Sequence, residues 1–314
     1  MQNQIYQTPL QRRSNAKTLR AAAREMLKGR WKIAILVFLI ACLLGMQSGG
    51  FSMSENVFTE KIEENPTAFF DVLLNLDKHL EDMGVMGAIR HLAVSVIGLD
   101  VLIDFCIATL CTKLFILFIG SPITVGYHRF LLDFADRKPD LRIKTLFTFF
   151  YSTEHYWGTV SLVLLIDVIY AGVGLLTLAL LFAVLSMASI LGGTALLILC
   201  GVILFLGAAV SVYLTYLFAL SHFIEADYPP FSAVDVLRNS CVLMRGNKLR
   251  LFRLQFSFIG WILLTILTLG IGEILLAPYM EAALTAFYSE ISGRDTAKEV
   301  QFPSIDPEDY FTQI

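Results

Sequence analysis

Apolar residues fill the chain in long runs, broken by short polar stretches and by segments where apolar and charged positions alternate with helical spacing. A helix needs about 20 mainly apolar residues to cross a bilayer. Six such segments are predicted, at residues 31–51, 92–119, 158–183, 194–223, 251–269 and 273–291. The stretch from 158 to 223 is too long for one crossing, and Leu191-Gly192-Gly193 is the best place for its turn. Gly270-Ile271-Gly272 separates the last two spans in the same way. The predicted class is all-α, a polytopic membrane helix bundle of about six transmembrane helices plus interfacial amphipathic helices.

The amphipathic segments carry apolar residues on one face and charges on the other, the pattern of a helix lying at an interface. Near the N-terminus, Leu19, Ala22, Met26 and Leu27 oppose Lys17, Arg20, Arg24 and Lys28. In the loop after the first span, Asn65-Pro66 predicts a helix start, and Phe69, Leu73, Leu76, Leu80 and Met83 share a face beyond it. After the fourth span, Ser232 and Asp235 form a capping-box pattern ahead of Val234, Leu237, Cys241 and Met244. Residues 141–150 form a further amphipathic segment before the third span.

Composition agrees with a bilayer as solvent: 16% of the residues are charged, against about 25% in soluble domains, and the mean hydropathy is +0.67. The formal net charge of -3 gives no reason to expect a nucleic-acid partner; membrane lipids are the expected partners, with protein partners or a homo-oligomer open. Basic residues are retained on the cytoplasmic side of a membrane. Eight of them lie between Arg12 and Lys32, and further clusters run from Arg129 to Lys144 and from Arg238 to Arg253. The loop at 52–91 is instead acidic. Six spans then place both termini in the cytoplasm. The expected organisation is an N-terminal amphipathic segment at 1–30, one membrane domain at 31–291 and a cytoplasmic tail at 292–314, with cytoplasmic loops at 120–157 and 224–250. The first apolar run has no convincing cleavage motif, so it is read as a retained span. The five cysteines suggest neither a disulfide framework nor a zinc ligand set.

The two ends of the chain resemble each other. Met26-Leu27-Lys28-Gly29-Arg30 precedes the first span and Leu243-Met244-Arg245-Gly246-Asn247 precedes the fifth, each a helix followed by a basic-Gly turn. The spans then read as three hairpins, each starting inside, which would make any duplication parallel rather than inverted.

Other motifs carry a family resemblance. Leu27-Lys28-Gly29-Arg30-Trp31, Gly120-Ser121-Pro122 and Gly126-Tyr127-His128-Arg129-Phe130 stand in the front half. Phe256-Ser257-Phe258-Ile259-Gly260-Trp261, Ala277-Pro278-Tyr279 and Ala286-Phe287-Tyr288 follow in the back half. In this order they resemble the bacterial integral membrane family called domain of unknown function 975. The resemblance implies one membrane domain in a bacterial cytoplasmic membrane and transfers no activity. The long acidic loop and the run from 158 to 223 depart from the pattern, and Glu281 stands where the family leads us to expect a neutral polar residue.

Ionisable groups inside spans are costly and mark functional hypotheses. Asp100, Asp104, Asp167 and Glu281 are the candidates for an intramembrane polar site, a proton or cation path. The bland alternatives are headgroup contact for Asp100, snorkelling for Lys113 and a hydrogen bond from Tyr170 or another helix for Asp167. Lys28, Arg30, Arg245, Lys248 and Arg250 are the candidate lipid-facing basic residues, or simply the charged flank any span needs. His155 beside Glu154 and His222 beside Glu225 invite a metal-site reading, but interfacial polarity accounts for them, and neither metal nor cofactor is expected. No catalytic fingerprint occurs, and an enzyme is not expected. Two readings stay open: a non-enzymatic envelope scaffold or modulator of membrane partners, and a small-solute, lipid or ion transporter that uses the carboxylates.

Overall fold

The computed structural model describes residues 14–46, 99–138, 143–187, 193–227, 232–268, 270 and 272–294, without the side chains of 99–106 and 193. The acidic loop, with its predicted helix from Asn65, and the turn at Leu191-Gly192 lie outside the described residues. Among those described there is no strand. The elements are α1 (Ala16–Leu27), α2 (Trp31–Leu43), α3 (Leu99–Phe115), a π-turn (Ile116–Gly120), α4 (Ser121–Ala135) and a 3-10 segment (Ile143–Phe150). There follow α5 (Thr153–Leu185), α6 (Gly193–Phe218), α7 (Ser221–Asp227), α8 (Ala233–Leu243), α9 (Lys248–Phe256), α10 (Ile259–Leu267) and α11 (Glu273–Ile291).

Four helical runs among the described residues are long and apolar enough to cross a membrane: Ile107–Ala135, Thr153–Leu185, Thr194–Asp227 and Lys248–Leu267. The chain is thus an all-α multi-pass protein, although six spans are not resolved as such. Trp31–Leu43 is apolar but shorter. α11 differs for a chemical reason: it carries Glu273, Glu281 and Glu290 and turns much of its surface inward.

The run Ile107–Ala135 does not stop at Ile119, where the predicted span ends. It passes through the π-turn and continues as α4, in which every residue from Ser121 to His128 is buried. Pro122 has no N–H to return to the Phe118 carbonyl. The Tyr156 hydroxyl donates to that carbonyl instead, at 3.2 Å. Ser121 Oγ and Thr124 Oγ1 donate to Leu117 O and Gly120 O at 2.5 and 2.7 Å. The widened turn and these hydroxyls let the helix absorb its proline.

α4 is the centre of the core, packed against the 3-10 segment, α7, α11, α2 and α5. The closest approach is at Gly126, where a Cβ would stand 2.2 Å from the Leu146 carbonyl oxygen. Only glycine lets the 3-10 segment bury Leu146 and Phe149 there.

The lead-in helices bury faces slightly rotated from those expected. α1 buries Leu19, Ala23 and Leu27, while Ala22 is exposed. α8 buries Val236, Leu237, Ser240 and Leu243, with Val234 outside. Ser232 is the N-cap residue of α8, but its side chain makes no capping bond. The buried Ser240 hydroxyl donates to Leu217 O at 2.7 Å, which satisfies it inside the core. Both lead-ins end at a glycine with φ +77°, Gly29 and Gly246, the left-handed conformation that reverses a helix C-terminus.

α5 and α6 form a hairpin apart from this core. At 33 residues, α5 is about 50 Å long, beyond the roughly 30 Å of a hydrocarbon layer. Its first turns bury Thr159, Val160 and Leu162, and none of its most apolar stretch is buried. The two helices touch closely where Gly207 meets the Thr177 side chain, and Tyr170 and Thr215 share a hydroxyl hydrogen bond of 2.9 Å.

Candidate functional site

Of the four carboxylates singled out from the sequence, Asp167 and Glu281 have described side chains, and these two stand on different helix contacts. Asp100 and Asp104 fall on α3, and their side chains lie outside the described residues. Asp167 on α5 stands 4.0 Å from Lys113 on α3, with both side chains about half exposed. The Tyr170 hydroxyl bonds Thr215 across the hairpin. Glu281 is elsewhere, on the face of α11 that meets α4, with its Oε2 3.9 Å from His128 Nε2.

The basic candidates also separate. Lys28 is exposed, 3.9 Å from Glu25, and Arg245 is exposed. Arg30 lies over the Phe134 ring at 5.9 Å. Lys248 donates to the Tyr213 hydroxyl at 2.7 Å and sits over that ring. Arg250 points inward: it donates to Glu290 Oε1 at 2.5 Å and to Ser14 O at 3.2 Å. Glu290 Oε1 also accepts from Ser14 N–H at 3.1 Å, so one arginine-carboxylate pair ties α1, α9 and α11.

A second clamp centres on Arg294, Asp136 and Asp227, which were not singled out from the sequence. Arg294, just past α11, donates to Asp136 Oδ2 at 2.6 Å and to Asp227 Oδ1. Asp227 also accepts from the Tyr288 hydroxyl at 3.2 Å and lies 3.9 Å from Arg129. Arg129 in turn donates to Ala226 O at 3.1 Å and lies 3.5 Å from Asp133. Burial opposes the charge on Arg294, but the hydrogen bonds and charges of Asp136 and Asp227 outweigh it, so its proton is held more tightly than in free arginine. The clamp joins the ends of α4, α7 and α11, which are far apart in sequence. Beside it lies a cavity of about 330 Å³ lined by Arg129, Thr148, Phe149, His155, Ala226 and Asp227.

A buried polar junction lies where α4 meets α7 and α11. His128 from α4 stacks on His222 from α7, with ring centres 5.7 Å apart and 25° between planes, and meets the edge of Phe223 at 4.3 Å. Glu225, one turn along α7, is 1% exposed and rests on Gly158 of α5, where a Cβ would stand 2.9 Å from its Oε1. Neither Glu225 oxygen has a hydrogen-bond partner among the described residues, nor does the Tyr127 hydroxyl. No group of three or more His, Cys, Asp or Glu among the described residues is placed to hold a metal ion. His128 stands inside the Gly126-Tyr127-His128-Arg129 motif, Glu281 was marked as an intramembrane carboxylate and His222 as a neighbour of Glu225, but no sequence signal linked the three.

The family described as "Protein of unknown function (DUF975)" matches residues 13–295, and the chain belongs to that family. Comparison with curated proteins and with solved structures returned no match. With its apolar runs, the chain is a multi-pass bacterial membrane protein in contact with lipid.

Proposed function

We propose that this member of a family without an assigned activity is a non-enzymatic envelope scaffold or modulator, which offers a cytoplasmic platform to membrane partners. It crosses the membrane six times with both termini inside. Its carrying observation is the division of labour around α9. Leu251, Leu254 and Arg250 anchor that helix inward, whereas Leu249, Phe252, Arg253 and Phe256 are exposed beside the exposed Arg245. Aromatic and basic side chains presented together suit the headgroup level of an anionic leaflet, or a partner helix that lies there. The inward arginines, Arg250 and Arg294, join the elements behind that face into one support.

Transport would need the intramembrane carboxylates on a common route. Asp167 beside Lys113 and Glu281 beside His128 sit on different helix contacts, which favours the scaffold reading. The test is affinity purification from native membranes, with lipid and protein mass spectrometry, of wild type and an Arg245→Glu/Arg253→Glu variant. Wild type should retain anionic lipid and a stoichiometric protein partner, and the variant should lose both. Identical recoveries from the two proteins, together with altered solute flux in Asp167→Asn or Glu281→Gln, would replace scaffolding with transport.

A further inference from the structure

The buried junction of α4, α7 and α11 has a hydrogen-bonding inventory that does not close. His128 Nδ1 lies 2.7 Å from the Thr124 carbonyl oxygen. A carbonyl only accepts, so Nδ1 carries the ring proton and Nε2 of the neutral ring presents a lone pair. That lone pair faces Glu281 Oε2 at 3.9 Å, and this oxygen has no hydrogen-bond partner among the described residues. An ionised Glu281 would thus set one acceptor against another in a site where His128 is 8% exposed. Burying a carboxylate without a donor costs several kcal/mol.

We infer that His128 and Glu281 form a binding site for one proton, held between Nε2 and Oε2 at the contact of α4 with α11. The proton enters from solution and no other bond breaks. It forms a carboxylic acid on Glu281 that donates to Nε2 of the neutral ring. A donor then faces an acceptor, and closing the gap to hydrogen-bond length takes about 1 Å of side-chain movement.

The surroundings limit the site to that single proton. Tyr127 of α4 adds a buried hydroxyl with no hydrogen-bond partner among the described residues. His222 of α7 lies parallel to His128, so charge on one ring repels charge on the other. Glu225 faces Gly158 of α5. Nearby cations are engaged elsewhere: Arg129 and Arg294 with Asp227, and Arg250 with Glu290. Among the described residues, His128 is the ion-pairing partner within 4 Å of Glu281. The site is independent of the scaffold reading, because none of these groups lies on the exposed α9 face.

The full-length protein in lipid nanodiscs tests this by pH-difference infrared spectroscopy of the carbonyl stretch of protonated carboxylic acids. A band that titrates in wild type, is lost in Glu281→Gln, persists in Glu225→Gln and shifts in His128→Gln is the expected result. A wild-type band that survives Glu281→Gln unchanged overturns the proposal, as does displacement of the band by sodium or potassium at constant pH, which would make the site a cation site. Wild-type histidine nitrogen spectra keep the test open if a variant fails to fold. A neutral ring protonated at Nδ1, with Nε2 responding at the pH midpoint of the infrared band, is expected; a ring protonated at Nε2 overturns it.

Discussion

The α5–α6 hairpin and the α4–α7–α11 junction use opposite means to hold helices together. In the hairpin, long apolar surfaces face outward and the two helices meet through Gly207, Thr177 and one shared hydroxyl bond. In the junction, polar groups face inward: Arg294 grips two carboxylates, and Phe223 and Tyr288 stack at 5.2 Å beside them. Lipid supplies no hydrophobic drive for one apolar helix to leave it for another. A hairpin in that solvent needs little internal packing. The junction buries charged groups, which must be fastened by directional bonds.

The contrast is broken most directly at the closest backbone approach. Gly126→Val puts side-chain atoms where Leu146 O already stands, with an expected cost above about 3 kcal/mol. Loss of monodisperse protein in size-exclusion chromatography checks it. Next comes Arg294→Met, which leaves Asp136 and Asp227 facing each other in a largely buried site; about 3 kcal/mol is expected, read as a lower thermal midpoint in nanodiscs. Tyr156→Phe removes the hydroxyl that serves the Phe118 carbonyl beside Pro122, for about 1 kcal/mol in the same measurement. The smallest effect belongs to the hairpin. Gly172 has nothing within 4 Å of an added Cβ, so Gly172→Ala should shift stability by no more than about 1 kcal/mol, towards greater stability. A large loss there would mean that the outer hairpin face is tightly covered, and would end the comparison as drawn.

The helical class, the apolar runs and the basic-glycine turns were legible because each rests on local chemistry. Gly29 and Gly246 take the same φ of +77°, as two similar pentapeptides suggested. The buried faces were less legible. Ala22 and Ala23 are equivalent to a pattern search, and only the packing of α1 against α11 selects Ala23. Continuation of helix through Pro122 was hidden because its support comes from Tyr156, on another helix. The candidate site was legible as single residues. Glu281 was conspicuous as a charge in an apolar run, but His128 and His222 had no spacing to link them with it.

By itself, the sequence determined the solvent and the helical class, since hydropathy and helical periodicity are sums over neighbours along the chain. The tertiary structure alone decided which charges meet. Arg250 could face lipid or Glu290, and Asp167 could be solitary or stand beside Lys113, with the same local sequence in each case. Coulombic and hydrogen-bond contacts act over a few ångströms of space, and the chain brings residues 128, 222 and 281 within that range only after its helices have packed.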